Sequence, residues 1–312
     1  MTIPTDELKN TFVELLRRAS TQLPPDVIAA IKSGRDTETE GTPARNALNK
    51  MLNNIELSQK NSTPLCQDTG TNIWHVYHPH AICKSQLELI IRDATEEACR
   101  RSYLRANAVD PVTGLNSGNN LGVRFPVVSF YEWQHSDVRA SVMLKGGGCE
   151  NVSCQYALPD ENVHASRDLD GVRKVVLDGV HKAQGKGCAP GIIGVGIGGD
   201  RITGMIEAKH QLWRDLDDTN EIPILAKLED RLYRECNELG IGPMGFGGKT
   251  TVLGVKVGAI HRVPASYFVS ISYMCWSSRK ASVTVHPDHS VTWHERVPHS
   301  EGCSTPECKG CP

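Results

Sequence analysis

The N-terminal part of the chain places apolar residues at the spacing of amphipathic helices. A threonine followed by a proline at 42–43 is a helix start signal, with the hydroxyl as N-cap and the proline in the first turn. The pair Pro24-Pro25 marks another start. The apolar stripe of the helix after Pro43 consists of Leu48, Met51, Leu52 and Ile55. These patterns predict a helical N-terminus.

Three later segments also have helical periodicity. Ser85-Gln-Leu-Glu88 has the form of a capping box, which predicts the start of a long helix. Valines recur on one face of residues 172–180, and residues 221–239 form another helical segment. The stripe expected for the helix after Ser85 consists of Leu87, Ile90, Ile91, Ala94 and Ala98.

Several segments rich in β-branched and aromatic residues predict strands. Phe125–Trp133 and Val138–Lys145 are separated by four polar residues, which predicts a hairpin. Gly191–Ile197 is an uninterrupted apolar run typical of a buried strand. Two further strands are expected within Thr250–Ile260 and Tyr267–Trp276. Helices and strands alternate without a repeat period. We therefore expect a mixed α/β (α+β) fold with small sheets surrounded by helices, formed by residues 1–298, followed by a tail at 299–312.

The charge balance excludes several classes of protein. The 312 residues carry a formal net charge of -2, from 34 basic and 36 acidic residues mixed along the chain. This balance argues against a nucleic-acid or membrane-surface partner. The longest apolar runs are shorter than a membrane span, and the start of the chain lacks the features of a signal peptide. A cytoplasmic, soluble protein is expected.

The chain has 11 cysteines, and their number requires an explanation. The odd count and wide spacing favour reduced thiols over disulfides. A single cysteine is most often a small buried apolar residue, and Cys83, Cys99 and Cys236 fit that role.

Three other cysteines lie among residues suited to chemistry. Cys66 is in LCQDTGT, Cys188 is in GKGCAPG and Cys275 is in SYMCWSSR. Thiolates bind zinc, copper or iron-sulfur clusters, and three thiolates would leave one metal position open for Lewis-acid chemistry. Separations of this length match no ligand motif, so spacing alone leaves the packing role open.

Two glycine-rich segments each suggest an anion site. Lys145-Gly-Gly-Gly148 follows a predicted strand and could present N–H groups to a carboxylate or phosphate, although a flexible turn would have the same sequence. Gly194-Val-Gly-Ile-Gly-Gly199 has the G-x-G-x-x-G spacing of a dinucleotide site, with Asp215 and Asp217 at a suitable distance for a ribose contact. An NAD-dependent oxidoreductase is therefore one alternative.

The remaining candidates are weaker. The tail has C-x4-C-x2-C spacing at Cys303, Cys308 and Cys311, which permits a local metal site, an electron carrier or an exposed tail without metal. The histidines at 75, 78 and 80 could form a metal patch, but strand or surface positions are commoner. Arg105 could bind a substrate carboxylate through two hydrogen bonds.

These segments, taken in order, resemble the α subunit, or N-terminal domain, of the class I iron-sulfur hydro-lyases, the fumarate hydratases and L(+)-tartrate dehydratases. The likeness covers roughly residues 10 to 295. It is carried by Cys66-Gln-Asp-Thr-Gly70, Leu104-Arg105 with Asn107-Ala-Val-Asp-Pro111, Lys145-Gly-Gly-Gly148, Cys188-Ala-Pro190 with Gly194–Gly199, Gly242-Pro243, Thr251–Lys256, and Cys275-Trp276 with Arg279.

The resemblance implies that Cys66, Cys188 and Cys275 hold a [4Fe-4S] cluster with one iron not bound by protein. It also implies that Gly194–Gly199 binds no dinucleotide. Catalytic roles would fall to Asp68, Gln67 and Arg105, and substrate-binding roles to Gly147, Gly148, Lys145 and His261. The family usually has serine where this chain has Cys149.

The reaction implied is the reversible addition or removal of water on a C4 dicarboxylate, with fumarate and L-malate first and L-tartrate to oxaloacetate second. The open iron would be the Lewis acid. A β subunit, or C-terminal-type domain, would supply the base that removes the carbon-bound proton.

Overall fold

The computed structural model describes residues 5–298, which form eight α-helices and nine strands. The helices are α1 (Thr5–Thr21), α2 (Pro25–Thr37), α3 (Pro43–Asn61), α4 (Lys84–Arg100), α5 (Gly147–Val152), α6 (Leu169–Ala183), α7 (Arg201–His210) and α8 (Pro223–Glu238). The strands are β1 (Thr71–Pro79), β2 (Val127–Trp133), β3 (Val138–Lys145), β4 (Cys154–Ala157), β5 (Gly191–Gly198), β6 (Val252–Ile260), β7 (Phe268–Met274), β8 (Arg279–Val285) and β9 (Val291–His294). The predicted fold class is confirmed, and the predicted tail at 299–312 lies outside the described residues.

The first sheet has five strands in the order β2-β1-β3-β8-β9. The predicted hairpin is wrong, because β1 lies between β2 and β3 and pairs with both, parallel to β2 and antiparallel to β3. The polar link at 134–137 therefore passes the end of β1. The sequence pattern did not single out β1 because its buried face includes the polar residues Asn72 and His78 beside Trp74 and Val76.

The second sheet has four strands in the order β4-β7-β5-β6. Strand β5 is parallel to β6 and antiparallel to β7, and all of its residues are buried. This burial explains the unbroken apolar run that predicted the strand, since a strand covered on both faces has no polar side.

Local signals placed most of the helices correctly. The Thr42 hydroxyl accepts a hydrogen bond from the Arg45 N–H, as an N-cap should. The predicted capping box at Ser85 is wrong, because α4 begins at Lys84 after Cys83 and has no side-chain cap. The turn after β1, in which the Ile82 N–H donates to the Pro79 carbonyl, brings Cys83 to the cap position.

The cysteines expected to be core residues have different environments. Cys236 is buried, as predicted, and Cys99 is partly buried. Cys83 is exposed, so the packing role predicted for it is wrong. Cys83 is exposed because it stands at the N-cap position of helix α4. The neighbouring sequence does not indicate this exposure.

Three apolar clusters form the core. One lies between the second sheet and helices α6 and α8, and one lies between the first sheet and helices α1 and α4. The third joins the two sheets and includes Leu65, Cys149 and Cys275, with Cys188 and Trp276 packed against it. None of the helices among residues 5–298 combines the length and apolar character needed to cross a membrane.

Candidate active site

The ends of strands from both sheets meet above the third apolar cluster. In the first sheet, Thr71 at the start of β1 pairs with Lys145 at the end of β3, and Leu144 pairs with Arg279 at the start of β8. In the second sheet, Ile192 near the start of β5 pairs with Met274 at the end of β7. The loops that carry Cys66, the three glycines, Cys188 and Cys275 therefore all leave the sheets in this region.

Asp68 is the best-fixed polar residue of this region. Its Oδ2 accepts a hydrogen bond of 2.8 Å from the Gly147 N–H, and its Oδ1 lies 3.5 Å from the Asn107 amide nitrogen. Its backbone carbonyl accepts a 2.8 Å bond from Arg279 Nη2. A Cβ at Gly146 would lie 2.9 Å from Asp68 Oδ2, so glycine is required there for the carboxylate to approach the loop.

The loop that carries Arg105 is attached to the same segment. The Thr69 hydroxyl bonds to both the N–H and the carbonyl of Arg105, at 3.2 Å each. The buried Asn120 amide accepts from the Asn107 N–H and donates to the Arg105 carbonyl at 2.8 Å. The Arg105 side chain is exposed and has no ion-pair partner among the residues that the structure describes.

These two segments enclose a cavity of about 250 Å³. Its lining consists of Asp68, Gly70, Thr71, Arg105, Asn107, Phe125 and Gly147. A guanidinium, an amide and a backbone N–H beside one carboxylate are the groups that bind and orient a small anionic ligand.

The Cys188 loop is held in an uncommon conformation. Cys188 has φ 57° and ψ 60°, a left-handed geometry that costs a non-glycine residue about 1–2 kcal/mol. The preceding Gly187 lies against the ring of Tyr273, where a Cβ would come within 2.5 Å of a ring carbon. The strain and the tight packing fix the direction in which the Cys188 thiol points.

The thiol of Cys188 lies close to the other cysteines. Burial raises its pKa first, and the negative charges of Cys149, Cys66 and Asp68 raise it further. The pKa of Tyr273 is raised by burial and then by the charges of Cys275, Cys149 and Cys188. Charge interactions therefore connect the four sulfurs and the Asp68 carboxylate.

Cys149 and Cys275 form a coupled pair. The Cys275 N–H donates to Cys149 Sγ at 3.2 Å. The hydrogen bond from the Cys275 thiol, assisted by the charges of Lys145 and Arg279, lowers the pKa of Cys149 to about 7. The pKa of Cys275 is raised by that same bond and by burial. One proton leaves this pair readily and the second leaves with difficulty.

The sulfur donors of this region have the chemistry that an iron-sulfur cluster requires. Among residues 5–298, no three His, Cys, Asp or Glu side chains converge on one metal position. Thiolates around a cluster are spread over several irons, so they need not converge on one point. Five buried polar atoms of the segment that carries Cys275 also have no hydrogen-bond partner: Ser272 Oγ, Tyr273 Oη, Ser277 Oγ, and Arg279 Nε and Nη1.

The second glycine-rich segment has a different role from the one its spacing suggested. A Cβ at Gly194 would lie 2.1 Å from the Ala208 carbonyl oxygen, and one at Gly196 would lie 2.3 Å from that of Gly204. Helix α7 therefore packs directly onto the backbone of β5, and these two glycines face the helix. The dinucleotide alternative has no support in this arrangement.

Comparison with known proteins agrees with this arrangement of motifs. The sequence model of fumarate hydratase (fumerase) matches residues 9–284. The chain belongs to the fumarate hydratase family. A Geobacillus stearothermophilus protein named "Putative fumarate hydratase class I" is 46% identical over 286 residues, which are 91% of this chain and 56% of that protein. The L(+)-tartrate dehydratase subunit alpha of Escherichia coli strain K12 is 30% identical over 276 residues, 86% of this chain and 88% of that subunit.

The coverage of these fumarate hydratase relatives differs. This chain spans little more than half of the Geobacillus protein but most of the subunit named alpha in Escherichia coli. The same region therefore occurs within a longer polypeptide in one relative and as a separate subunit in the other.

Within this fumarate hydratase fold, the predicted site residues separate into two groups. Asp68, Arg105 and Gly147 line the cavity, while Gln67 is exposed beside Asp68 and Gly148 lies outside the lining.

Lys145 is fully buried, and its Nζ lies 3.2 Å from Glu150 and 3.4 Å from Ser153 Oγ. Burial lowers the pKa of Lys145, and Glu150 partly offsets this. The ammonium is therefore paired with Glu150, and Lys145 does not line the cavity.

His261 is the predicted residue that lies farthest from this region. It follows Ile260, which pairs with Gly198 at the end of β5, whereas Cys188 precedes the start of β5. Eight strand residues separate the two ends, about 25 Å at 3.3 Å per residue. The structure does not bring His261 to the cavity, so its position does not support substrate binding.

The structure adds three residues for which no role was predicted. Asn107 contacts Asp68, Asn120 braces the Arg105 loop, and Arg279 holds the Asp68 carbonyl. Asn107 and Arg279 occur in the motifs that carry the resemblance, which was the available signal. Asn120 lies in a segment of linker-like composition and carried no signal.

Proposed function

We propose that this chain is the α part of an iron-sulfur hydro-lyase that reversibly adds or removes water on a C4 dicarboxylate. Fumarate and L-malate are the first candidates, and L-tartrate to oxaloacetate is the second. The observation that carries the proposal is the cavity that Asp68, Arg105 and Gly147 line, at the strand ends where the loops of Cys66, Cys188 and Cys275 meet.

Cys66, Cys188 and Cys275 would hold a [4Fe-4S] cluster. When bound, the cluster supplies a Lewis acid through an iron that has no protein ligand. The buried and partly buried positions of these cysteines limit solvent access to such a group. Cys149 is a fourth thiol in the same place, and we assign it to packing beside Cys275, to whose N–H its sulfur is bonded.

The cavity residues have complementary roles in this reaction. The exposed guanidinium of Arg105 would bind one carboxylate of the substrate with two hydrogen bonds. Asp68, fixed by the Gly147 N–H, is the group positioned to exchange a proton with the departing or entering water. Gln67 stays a predicted catalytic residue and Gly148 a predicted substrate-binding residue, although neither lines the cavity.

The cavity lacks one group that the reaction needs. Asp68 is the only carboxylate in the lining within the described part of the chain, and no lining residue there is a histidine or lysine. A base on the opposite side of the substrate must remove the carbon-bound proton. We therefore propose that a β subunit, or an equivalent domain, closes the cavity and supplies this base.

The surface beside the cavity supports such a partner. The loop between Arg105 and Phe125 lines the cavity at both ends and exposes large apolar side chains between them. The exposed fractions are 91% for Val112, 71% for Leu115 and 97% for Val123. Exposed aliphatic residues next to a binding cavity are typical of a surface that another protein covers.

The cluster assignment has a direct test. Single Cys66→Ser, Cys188→Ser and Cys275→Ser variants, reconstituted anaerobically with iron and sulfide, should lose the visible absorbance of the cluster. Cys99→Ser is a matched control, since it changes another partly buried thiol that lies in α4. Changes of Cys303, Cys308 or Cys311 should also leave the absorbance intact, and loss of the cluster in these variants would overturn the assignment.

The reaction and the partner are tested by assays of the chain alone and with a β subunit. The reconstituted chain should bind fumarate or tartrate with a change in its spectrum but should not turn them over until the β subunit is added. Full turnover by the chain alone would contradict the need for a partner. Reversible reduction without any substrate effect would favour the electron carrier. The unpaired thiols agree with a cytoplasmic location, which we propose with the reaction.

A further inference from the structure

The first residue of β8, Arg279, is a buried arginine with an incomplete set of partners. Its exposed fraction is 1%. Nη2 donates a 2.8 Å hydrogen bond to the Asp68 carbonyl, while Nε and Nη1 are buried and have no hydrogen-bond partner. No carboxylate among residues 5–298 forms an ion pair with this guanidinium. A charged group in this position is destabilising unless an anion lies beside it.

Two cysteines lie in the segments beside this guanidinium, and the Cys275 N–H donates to Cys149 Sγ at 3.2 Å. Arg279 pairs with Leu144 near the end of β3, and the helix that follows β3 carries Cys149. Arg279 also follows Cys275 by four residues, so one short segment carries a predicted cluster ligand and a positive charge next to it. The other side of the guanidinium faces the Asp68 loop, where its Nη2 lies 3.9 Å from the Cβ position of Gly146.

We propose that Arg279 is a positioning residue that joins the Asp68 loop to the sulfur-bound cluster, with Nη2 on the Asp68 carbonyl and Nε and Nη1 donating to sulfur. This inference depends on the proposed function. The planar guanidinium holds its N–H donors in a rigid fork, whereas the lysine ammonium is a compact charge at the end of a flexible side chain. Arg279 thereby fixes the distance between the proton-handling carboxylate and the iron-sulfur group, and it partly neutralises the charge of the thiolates.

Loss of Arg279 should change the properties of the cluster itself, apart from any effect on turnover. Hydrogen bonds to cluster sulfurs and nearby positive charge raise the reduction potential and protect the group. Removal of Arg279 should therefore lower the potential and speed the release of iron. A residue with a purely structural role would lower the stability of the chain without moving the potential.

The experiment uses the full chain reconstituted anaerobically with iron and sulfide. Arg279→Met removes the charge and the donors, Arg279→Gln keeps donors without charge, and Arg279→Lys keeps the charge. The control is Arg139→Met, because Arg139 lies in β3 of the same sheet, also has a buried Nε without a partner, and packs on Trp133. The readouts are iron and sulfide content, the midpoint potential, the rate of iron loss to a chelator, and the melting temperature.

We expect Arg279→Met to lower the midpoint and to speed iron loss at least tenfold, with Arg139→Met unchanged in both. Arg279→Lys should keep a midpoint closer to the wild type, and Arg279→Gln should lie between Lys and Met. If Arg279→Met does not fold, the midpoint potentials of the other two variants test the inference. It then requires the potential of Arg279→Lys to lie closer to the wild type than that of Arg279→Gln.

Variants with wild-type midpoint and iron release would overturn the inference, as would losses no larger than those of Arg139→Met. Failure of the wild-type chain to assemble any iron-sulfur group would instead overturn the proposed function, and the role of Arg279 with it. The two failures are therefore distinguishable.

Discussion

The two glycine-rich segments of this protein look alike in sequence and serve different purposes. Gly146–Gly148 follows β3 and borders the cavity, where a backbone N–H binds the carboxylate of Asp68. Gly194–Gly199 lies within and just after β5, where the absence of side chains lets helix α7 pack onto the strand. The first segment makes room for a functional group, and the second makes room for a helix.

The difference lies in the atoms that an added side chain would meet. At Gly196 a Cβ would meet a backbone carbonyl at 2.3 Å, which cannot move without the helix. At Gly146 it would meet the Asp68 carboxylate at 2.9 Å, and at Gly147 the nearest atom is the same carboxylate oxygen at 3.8 Å. Glycine spacing alone is therefore a poor guide to function, because helix packing and anion binding both select it.

The largest expected effect comes from Gly196→Ala. The added methyl group must separate α7 from β5, so we expect a loss of about 3 kcal/mol or more in the free energy of unfolding, or no soluble protein. Chemical denaturation measures it. Gly147→Ala is the control, since its nearest contact of 3.8 Å is an ordinary one. A Gly196→Ala protein of normal stability would show that the helix does not rest on these glycines.

A smaller effect on stability and a larger one on turnover are expected for Gly146→Ala. Gly146 has φ -66°, so alanine causes no backbone strain, but its methyl group displaces the Asp68 carboxylate. A misplaced catalytic group typically costs about 100-fold in rate. We expect that loss in the complex with the β subunit, with less than about 1 kcal/mol lost in unfolding. Instability as large as that of Gly196→Ala would remove the distinction between the segments.

The smallest effect concerns the far end of helix α7, where His210 contacts His75 of β1. Burial, and then the charge of His210, lowers the pKa of His75 to about 3. Because the unfolded chain takes up the proton near pH 6.5, stability should fall as the pH drops from 6.5 towards 3. The slope is at most about 1.4 kcal/mol per pH unit.

His75→Gln should reduce this slope, as measured by denaturation at pH 7 and pH 5. The variant leaves the glycines of β5 untouched, so it tests the contact of α7 with β1 separately from the packing of α7 on β5. An unchanged pH dependence in His75→Gln would show that the contact with β1 does not respond to protonation.

The sequence predicted much of the fold where local signals sufficed. The unbroken apolar run at 191–197 became the buried strand β5, and the Thr42 cap and the Leu48 stripe located α3. The sequence did not predict β1, because its aromatic and histidine residues do not form a clear strand pattern. The hairpin prediction for β2 and β3 was wrong as a result, since β1 lies between them. Strand pairing depends on contacts between distant residues, which a local pattern does not contain.

The predictions for the candidate site were also correct for some residues and not for others. The motifs identified Asp68, Arg105 and Gly147, which line one cavity, because these residues stand in the segments that carry the family resemblance. They also suggested Lys145, whose ammonium is buried against Glu150, and His261, which lies at the opposite end of its strand. Residue type indicates what a side chain can bind, and only its direction from the backbone decides what it reaches.

The sequence by itself determined the secondary-structure elements with strong periodicity, the family, and the set of polar and sulfur groups available for chemistry. The tertiary structure alone decided that the loops of Cys66, Cys188 and Cys275 meet, that one glycine segment faces a carboxylate and the other a helix, and that Arg279 is buried with two unpaired N–H groups. The physical reason is that sheet pairing brings together strand ends far apart in the chain, and burial then sets the free-energy cost of every group left without a partner.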